Sequence, residues 1–180
     1  MRWCLGLLVL VGCASTTPVR EIPVSTWQEV GDATWAVEQG VVTGSGGDGY
    51  LISPGDYRAY VLKLEFWADA KTNSGVFIHC TDASNLSPIT CYEINIWDNH
   101  PNQAFRTGAI VTRVEPYHIL NTLGRWNSYE IHVAQASIEV YLNGTLVSSL
   151  DQPEKQAGFI GLQHMLSGVV RFRNLTIQPL

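Results

Sequence analysis

The run Ser137-Ile138-Glu139-Val140-Tyr141-Leu142-Asn143-Gly144-Thr145-Leu146-Val147-Ser148-Ser149 is two alternating apolar and polar segments joined by Asn-Gly. A type I′ turn needs positive φ at both central positions, and Asn-Gly supplies it, so the stretch predicts a β-hairpin. Outward from it, short alternating segments separated by turn residues continue in both directions, and none sustains a helical period. Strands are expected at 34–43, 49–53, 57–69, 75–80, 91–98, 108–112, 126–133, 137–142, 145–149, 158–163 and 169–178, which makes an all-β chain. Gly44-Ser45-Gly46-Gly47-Asp48-Gly49 lacks the following helix and lysine of a phosphate loop and is a connector.

Strand parity sorts the faces. Tyr60, Leu62, Leu64 and Phe66 point one way, and Lys63, Glu65 and Trp67 the other; Tyr92, Ile94 and Ile96 likewise oppose Glu93, Asn95 and Trp97. One face is core; the other is polar with aromatics, suited to line a groove on a curved sheet. His79 shares the face of Phe77. In the last strand Phe172 and Leu175 cannot both face inward on a regular ladder, which predicts a bulge near Arg173-Asn174.

Residues 1–12 read as an export signal, with Arg2 ahead of the apolar run Leu5–Val11, well short of the roughly 20 residues that cross a bilayer. Leu10-Val11-Gly12-Cys13 resembles a bacterial lipobox, so Cys13 is the expected lipidation site and residues 13–26 a proline-punctuated tether. An ordinary secretory signal fits the same hydrophobicity but gives Cys13 no role. The expected location is the bacterial cell envelope, lipid-anchored, with the outer membrane ahead of the inner because Ala14 is no retention signal. Of four cysteines, Cys80 and Cys91 remain in the mature, oxidising compartment. Regular parity puts them on opposite faces, so a disulfide requires a bulge or a frayed strand end.

The remainder, residues 27–180, is one domain of about 150 residues. A net charge of −5 with scattered Lys and Arg provides no basic patch for nucleic acid. Six Trp and seven Tyr suit a protein that stacks on the C–H faces of sugars, although each also fits a core.

In order along the chain, Asn73-Ser74-Gly75-Val76-Phe77-Ile78, Tyr92-Glu93-Ile94-Asn95-Ile96-Trp97-Asp98, Trp126-Asn127-Ser128-Tyr129-Glu130-Ile131, Leu142-Asn143-Gly144, Gly161-Leu162-Gln163-His164 and Phe172-Arg173-Asn174-Leu175 resemble the 3-keto-disaccharide hydrolase domain. The resemblance spans about residues 27–180 and implies a concanavalin-like jelly-roll sandwich of two antiparallel sheets. As candidate bases, acids and an anion stabiliser near these motifs, Glu93, His79, Arg173, His164 and Asp98 are the expected catalytic residues, with Glu65, Asn73, Asn95, Trp97 and Gln163 expected to contact substrate. One departure bears on geometry: His164 follows Gln163 directly, where the family often has an intervening residue, and a one-residue shift reverses a strand side chain.

The implied reaction is on 3-keto-glycosides. A C3 ketone acidifies the C2 proton, a base removes it, the C1 group leaves by elimination, and water adds to give net hydrolysis. A divalent cation could polarise the ketone, though no ligand spacing is diagnostic. The competing expectations are a non-catalytic carbohydrate-binding module of the same fold and a structural envelope lipoprotein.

Overall fold

The expected hairpin forms. In the computed structural model, which describes residues 17–180, Asn143 (φ 51°) and Gly144 (φ 79°) make the two-residue turn between paired Leu142 and Thr145. Cys13 and the export signal lie outside the described residues.

Among the described residues, thirteen strands form two antiparallel sheets: β1 (Arg20–Glu21), β2 (Gln28–Gly31), β3 (Thr34–Glu38), β4 (Val41–Ser45), β5 (Gly49–Ile52), β6 (Tyr60–Ala68), β7 (Thr72–Cys80), β8 (Tyr92–Ile96), β9 (Asn127–Val133), β10 (Ser137–Leu142), β11 (Thr145–Asp151), β12 (Phe159–Leu166) and β13 (Val169–Pro179). The larger sheet runs β11-β10-β9-β6-β13-β4-β3, with β1 added on β13; the smaller runs β2-β5-β12-β7-β8. This is the expected all-β jelly-roll sandwich. Between the sheets lies one main core, in which Leu62, Phe66, Ile78, Ile94, Ile131 and Phe172 are sealed from solvent. Among the described residues no helix is long and apolar enough to cross a membrane.

Several expected elements differ. The 34–43 strand is a hairpin, β3 and β4, because Gln39 (φ 50°) and Gly40 (φ 78°) form a second two-residue turn. The 108–112 strand reduces to a single bridge, Ile110 to Ile94, because Thr112 (φ 66°) bends the chain back and Ile110 then pairs with Val114. The tether expected over 13–26 is not free throughout. Arg20 and Glu21 pair with Ile177 and Thr176, and Ile22 is buried in the core with its N–H donating to Leu175 O at 3.1 Å.

Two bulges reset parity. In β13 Arg173 pairs with Glu65 but Thr176 with Lys63, and Asn174 (φ 55°) absorbs the extra residue, so Phe172 and Leu175 both reach the core as expected. In β7 Cys80 pairs with Phe159 but Phe77 with Gly161, so Ile78 and His79 stand opposite one residue of β12. His79 carries the positive φ of 51°. Cys80 is thereby returned to the face of Phe77, which Cys91 also occupies, and the two are joined in a disulfide. Gly158 keeps this turn close: a Cβ there would overlap His79 C and Cys80 O.

The disulfide closes a loop with a sequence separation of 11. A Cys80→Ala/Cys91→Ala variant is expected to lose about 3 kcal/mol of stability in urea unfolding relative to the oxidised chain. A loss below about 0.5 kcal/mol would mean the loop is held by its other contacts.

Candidate functional site

The outer face of the smaller sheet carries a groove, and two glycines on that face let its neighbours pack closely. The register places Tyr50, Gln163, Gly75 and Asn95 in one row across β5, β12, β7 and β8, and Gly161, Phe77 and Glu93 in the next. A Cβ at Gly75 would stand 3.3 Å from both Cγ and Oε1 of Glu93, and one at Gly161 would stand 3.2 Å from Leu86. The absent side chains leave room for Glu93 and Leu86 to lie over the sheet, and these two side chains help line a groove of about 320 Å³. Asn73, Trp97 and Met165 continue its floor, Leu86, Ser87 and Pro88 form one wall, and His100 stands in the turn beyond β8.

Glu93 is the chemical centre of this groove. It is 7 % exposed and makes no side-chain hydrogen bond or ion pair among the described residues. Burial alone pushes its carboxyl up to about 7, because the desolvated carboxylate has no cation to compensate it. Close by, Gln163 is 3 % exposed, and its Oε1 is buried without a hydrogen-bond partner; its Nε2 lies 3.4 Å from Tyr50 Oη and 3.3 Å from Met165 Sδ. An unpartnered buried acceptor is costly to the fold.

Asn95 also lies on the floor, but its amide is used within the protein. Nδ2 donates to Phe105 O, and Oδ1 accepts the Ile96 N–H at 2.9 Å. Beneath it, Tyr129 Oη donates to Asn95 O at 2.7 Å. Asn95 therefore fastens the 97–105 segment to β8, with only its outer edge facing a ligand.

The sequence brings Glu93, Asn73, Asn95, Trp97 and Gln163 together as expected, and five other candidates go elsewhere. His79, turned by the bulge, points inward between Tyr60 and Tyr92, with Nε2 2.8 Å from Arg58 O and Nδ1 2.9 Å from Lys155 O. His164 alternates with Gln163 and so faces the core; Nδ1 lies 2.8 Å from Gly47 O and Nε2 3.3 Å from Gly168 O. The one-residue shift noted in the sequence thus removes it from the groove. Asp98 lies past the end of β8, where it accepts from Thr122 N–H at 2.6 Å and Thr122 Oγ1 at 2.9 Å, with Arg106 3.7 Å away.

Glu65 and Arg173 sit on the outer face of the larger sheet, across the sandwich from the groove. Arg173 Nε donates to Glu65 Oε2 at 2.7 Å, and its guanidinium covers the Trp126 ring at 4.0 Å. The hydrogen bonds from Asn174 and Arg173 hold the Glu65 carboxyl below its ordinary range. Parity placed Glu65 and Arg173 correctly on outward faces, but strand membership of the two sheets separates them from Glu93.

His100, Tyr50 and Met165 belong to the groove without having been singled out from the sequence. Tyr50 and Met165 could have been found by period-two alternation from Gln163 and from the Gly49–Ile52 run. His100 lies in an irregular turn and carried no periodic signal. Among the described residues no three His, Cys, Asp or Glu side chains gather so as to hold a metal ion, and Glu93 is the one carboxylate lining the groove. The donor set therefore does not fit the divalent cation considered from the sequence.

Two larger depressions lack this character. One of about 510 Å³ beside β1 is lined by charged side chains that are exposed, Arg20, Glu21, Asp56 and Arg58. The other, about 530 Å³, surrounds Asp98, which is already paired.

Comparison with known proteins identifies the architecture. Residues 23–178 match the sequence model of the 3-keto-alpha-glucoside-1,2-lyase-like domain. The chain belongs to this family. No curated protein sequence matches it significantly. A candidate glycosyl hydrolase from Parabacteroides distasonis ATCC 8503 superposes with a TM-score of 0.73 at 28% identity, over 82% of this chain and 90% of that one. The carbohydrate binding module CBM66 from Bacillus subtilis gives 0.62 at 14% identity, over 91% of this chain and 97% of that one. A Bacillus licheniformis beta-glucanase gives 0.60 at 10% identity, over 93% and 99%. These last two share the fold alone. The protein is thus a jelly roll of the 3-keto-alpha-glucoside-1,2-lyase-like family.

Glu93 also sets a pH dependence of stability. Its carboxyl is raised from 4.5 to about 7 on folding. Between those values the unfolded chain loses the proton that the folded chain keeps, so stability falls as pH rises through this window and levels off above it. The cost of ionised Glu93 at alkaline pH is about 3 kcal/mol. Glu93→Gln is expected to match the parent below pH 4.5 and to be more stable at pH 8 in denaturant titrations; equal stability at both pH values would contradict the burial argument.

Proposed function

We propose that the chain is an envelope lipoprotein that cleaves 3-keto-glycosides, 3-keto-disaccharides among them, by C2 proton abstraction, elimination at C1 and hydration. The observation that carries this reading is Glu93, a buried and unpartnered carboxyl raised to about 7 in an open groove. Such a group is a stronger base than an ordinary carboxylate and still ionises near neutrality, which suits it to take the C2 proton of a 3-keto sugar and to return a proton in the hydration step. The carbanion left at C2 delocalises onto the C3 oxygen as an enolate. Asn73 offers an amide N–H at the groove for that oxygen, the Gln163 side chain lines the groove beside the sugar, and Trp97 packs against the ring's C–H face. This differs from ordinary glycoside hydrolysis, which needs a second carboxyl across the scissile bond.

A second reading, a non-catalytic carbohydrate-binding module, is favoured by one observation. Among the described residues no Arg or Lys lines the groove, since Arg173 is on the other sheet.

With the full chain and a 3-keto-disaccharide, glucose release is expected to rise with pH through about 7. The Glu93→Gln variant should lose at least ~100-fold in rate. Binding of the sugar without turnover by the folded parent chain would move the assignment to the binding module.

Lipidation at Cys13 and residence in the outer membrane belong to the same proposal, carried by the Leu10–Cys13 motif. Cys13→Ser, expressed in a bacterial host, should shift the chain from the membrane to the soluble fraction. A variant that stays in the membrane fraction would contradict the anchor.

A further inference from the structure

We infer that His100 is the second acid–base group of the groove: its Nε2 gives a proton to the departing C1 oxygen during elimination and takes one from water during hydration. The inference rests on the 3-keto-glycoside reading above.

His100 lines the same groove as Glu93 and is partly exposed. Its position is fixed on three sides. Its ring meets Trp97 edge-on at 4.4 Å and 72°, and Phe105 at 5.6 Å and 77°. Its backbone closes a turn on β8, with His100 N donating to Trp97 O at 3.2 Å, and Gln103 Nε2 donates to His100 O at 2.7 Å.

The Asn102 backbone partners Nδ1. Asn102 O is 2.7 Å from that nitrogen, and Asn102 N–H points to it from 3.0 Å. A protonated Nδ1 donates to the carbonyl; a bare one accepts from the amide. Nδ1 is thus partnered in every protonation state, while Nε2 makes no hydrogen bond among the described residues. A backbone partner on one ring nitrogen leaves the other as the atom that exchanges protons, the usual arrangement of an acid–base histidine. His79 and His164 lack this freedom, since both nitrogens of each already face carbonyls.

The two steps need such a group. In the elimination, Glu93 carboxylate removes the C2 proton, and the C2–H electron pair becomes the C1–C2 double bond of the enone. The C1–O pair leaves with the aglycone oxygen, which takes the Nε2 proton of the imidazolium because a sugar alkoxide is a poor leaving group. In the hydration, water adds to C1 and gives a proton to Nε2, while the Glu93 carboxylic acid returns a proton to C2. One water is consumed, and both side chains regain their starting forms.

The test compares the full chain with His100→Gln on two substrates, a 3-keto-disaccharide and a nitrophenyl 3-keto-glucoside whose phenolate departs without a proton. Loss of ~100-fold or more in kcat on the disaccharide, with less than about fivefold loss of nitrophenolate release, is the expected result; the retained reaction also shows that the variant is folded. Equal losses on both substrates, or none on either, would overturn the role of His100 while leaving the lyase reading intact. A parent chain inactive on both substrates would sink that reading and this inference together.

Discussion

A carboxyl group buried on the outer face of a sheet, with no cation or hydrogen-bond donor to hold it, is the constraint around which this site is organised. Desolvation of Glu93 costs stability whenever it ionises, and a structural role would have been filled more cheaply by an apolar residue or a paired acid. The contrast lies within the molecule. Glu65, at nearly the same kind of strand position, is tied by Arg173 and Asn174, and Asp98 by Thr122 and Arg106. Glu93 alone among these three has no such partner among the described residues, and burial raises its carboxyl to about 7.

The surrounding architecture makes that burial possible while keeping the carboxyl reachable. Gly75 and Gly161 leave room for Glu93 and Leu86 to lie close over the sheet. Leu86, Ser87 and Pro88 wall it from a loop closed by the disulfide Cys80–Cys91. That loop is positioned by the β7 bulge, which sends His79 into the core and returns Cys80 to the groove face. On the opposite side, Asn95 staples Phe105 and with it the turn that carries Trp97 and His100.

Much of this was legible in the sequence because period-two alternation is local. It set Glu93, Asn95 and Trp97 on one face and required a bulge near Arg173-Asn174, and a bulge or frayed strand end near Cys80 if a disulfide was to form, while Asn73 and Gln163 came from the family resemblance. What it missed was nonlocal or irregular. The bulge that permits the disulfide is the one that removes His79 from the groove, and its exact position depends on β12 and Gly158 packing against β7. Glu65 and Arg173 have the right parity but the wrong sheet, a fact fixed by strand order and not by any strand's own pattern. His100 sits in a turn held by Asn102 and two aromatic rings, where no period exists to read. Arg20–Ile22 looked like tether because a two-residue strand has too little pattern to register.

The most direct test of the account is a carbon-13 NMR titration of the Glu93 side-chain carboxyl in the folded protein, with the resonance assigned by its disappearance in the Glu93→Gln variant. The account predicts a midpoint near 7. A midpoint at the ordinary glutamate value, near 4.5, would mean that the carboxyl is hydrated or paired, and the acid–base role built on its isolation would fall.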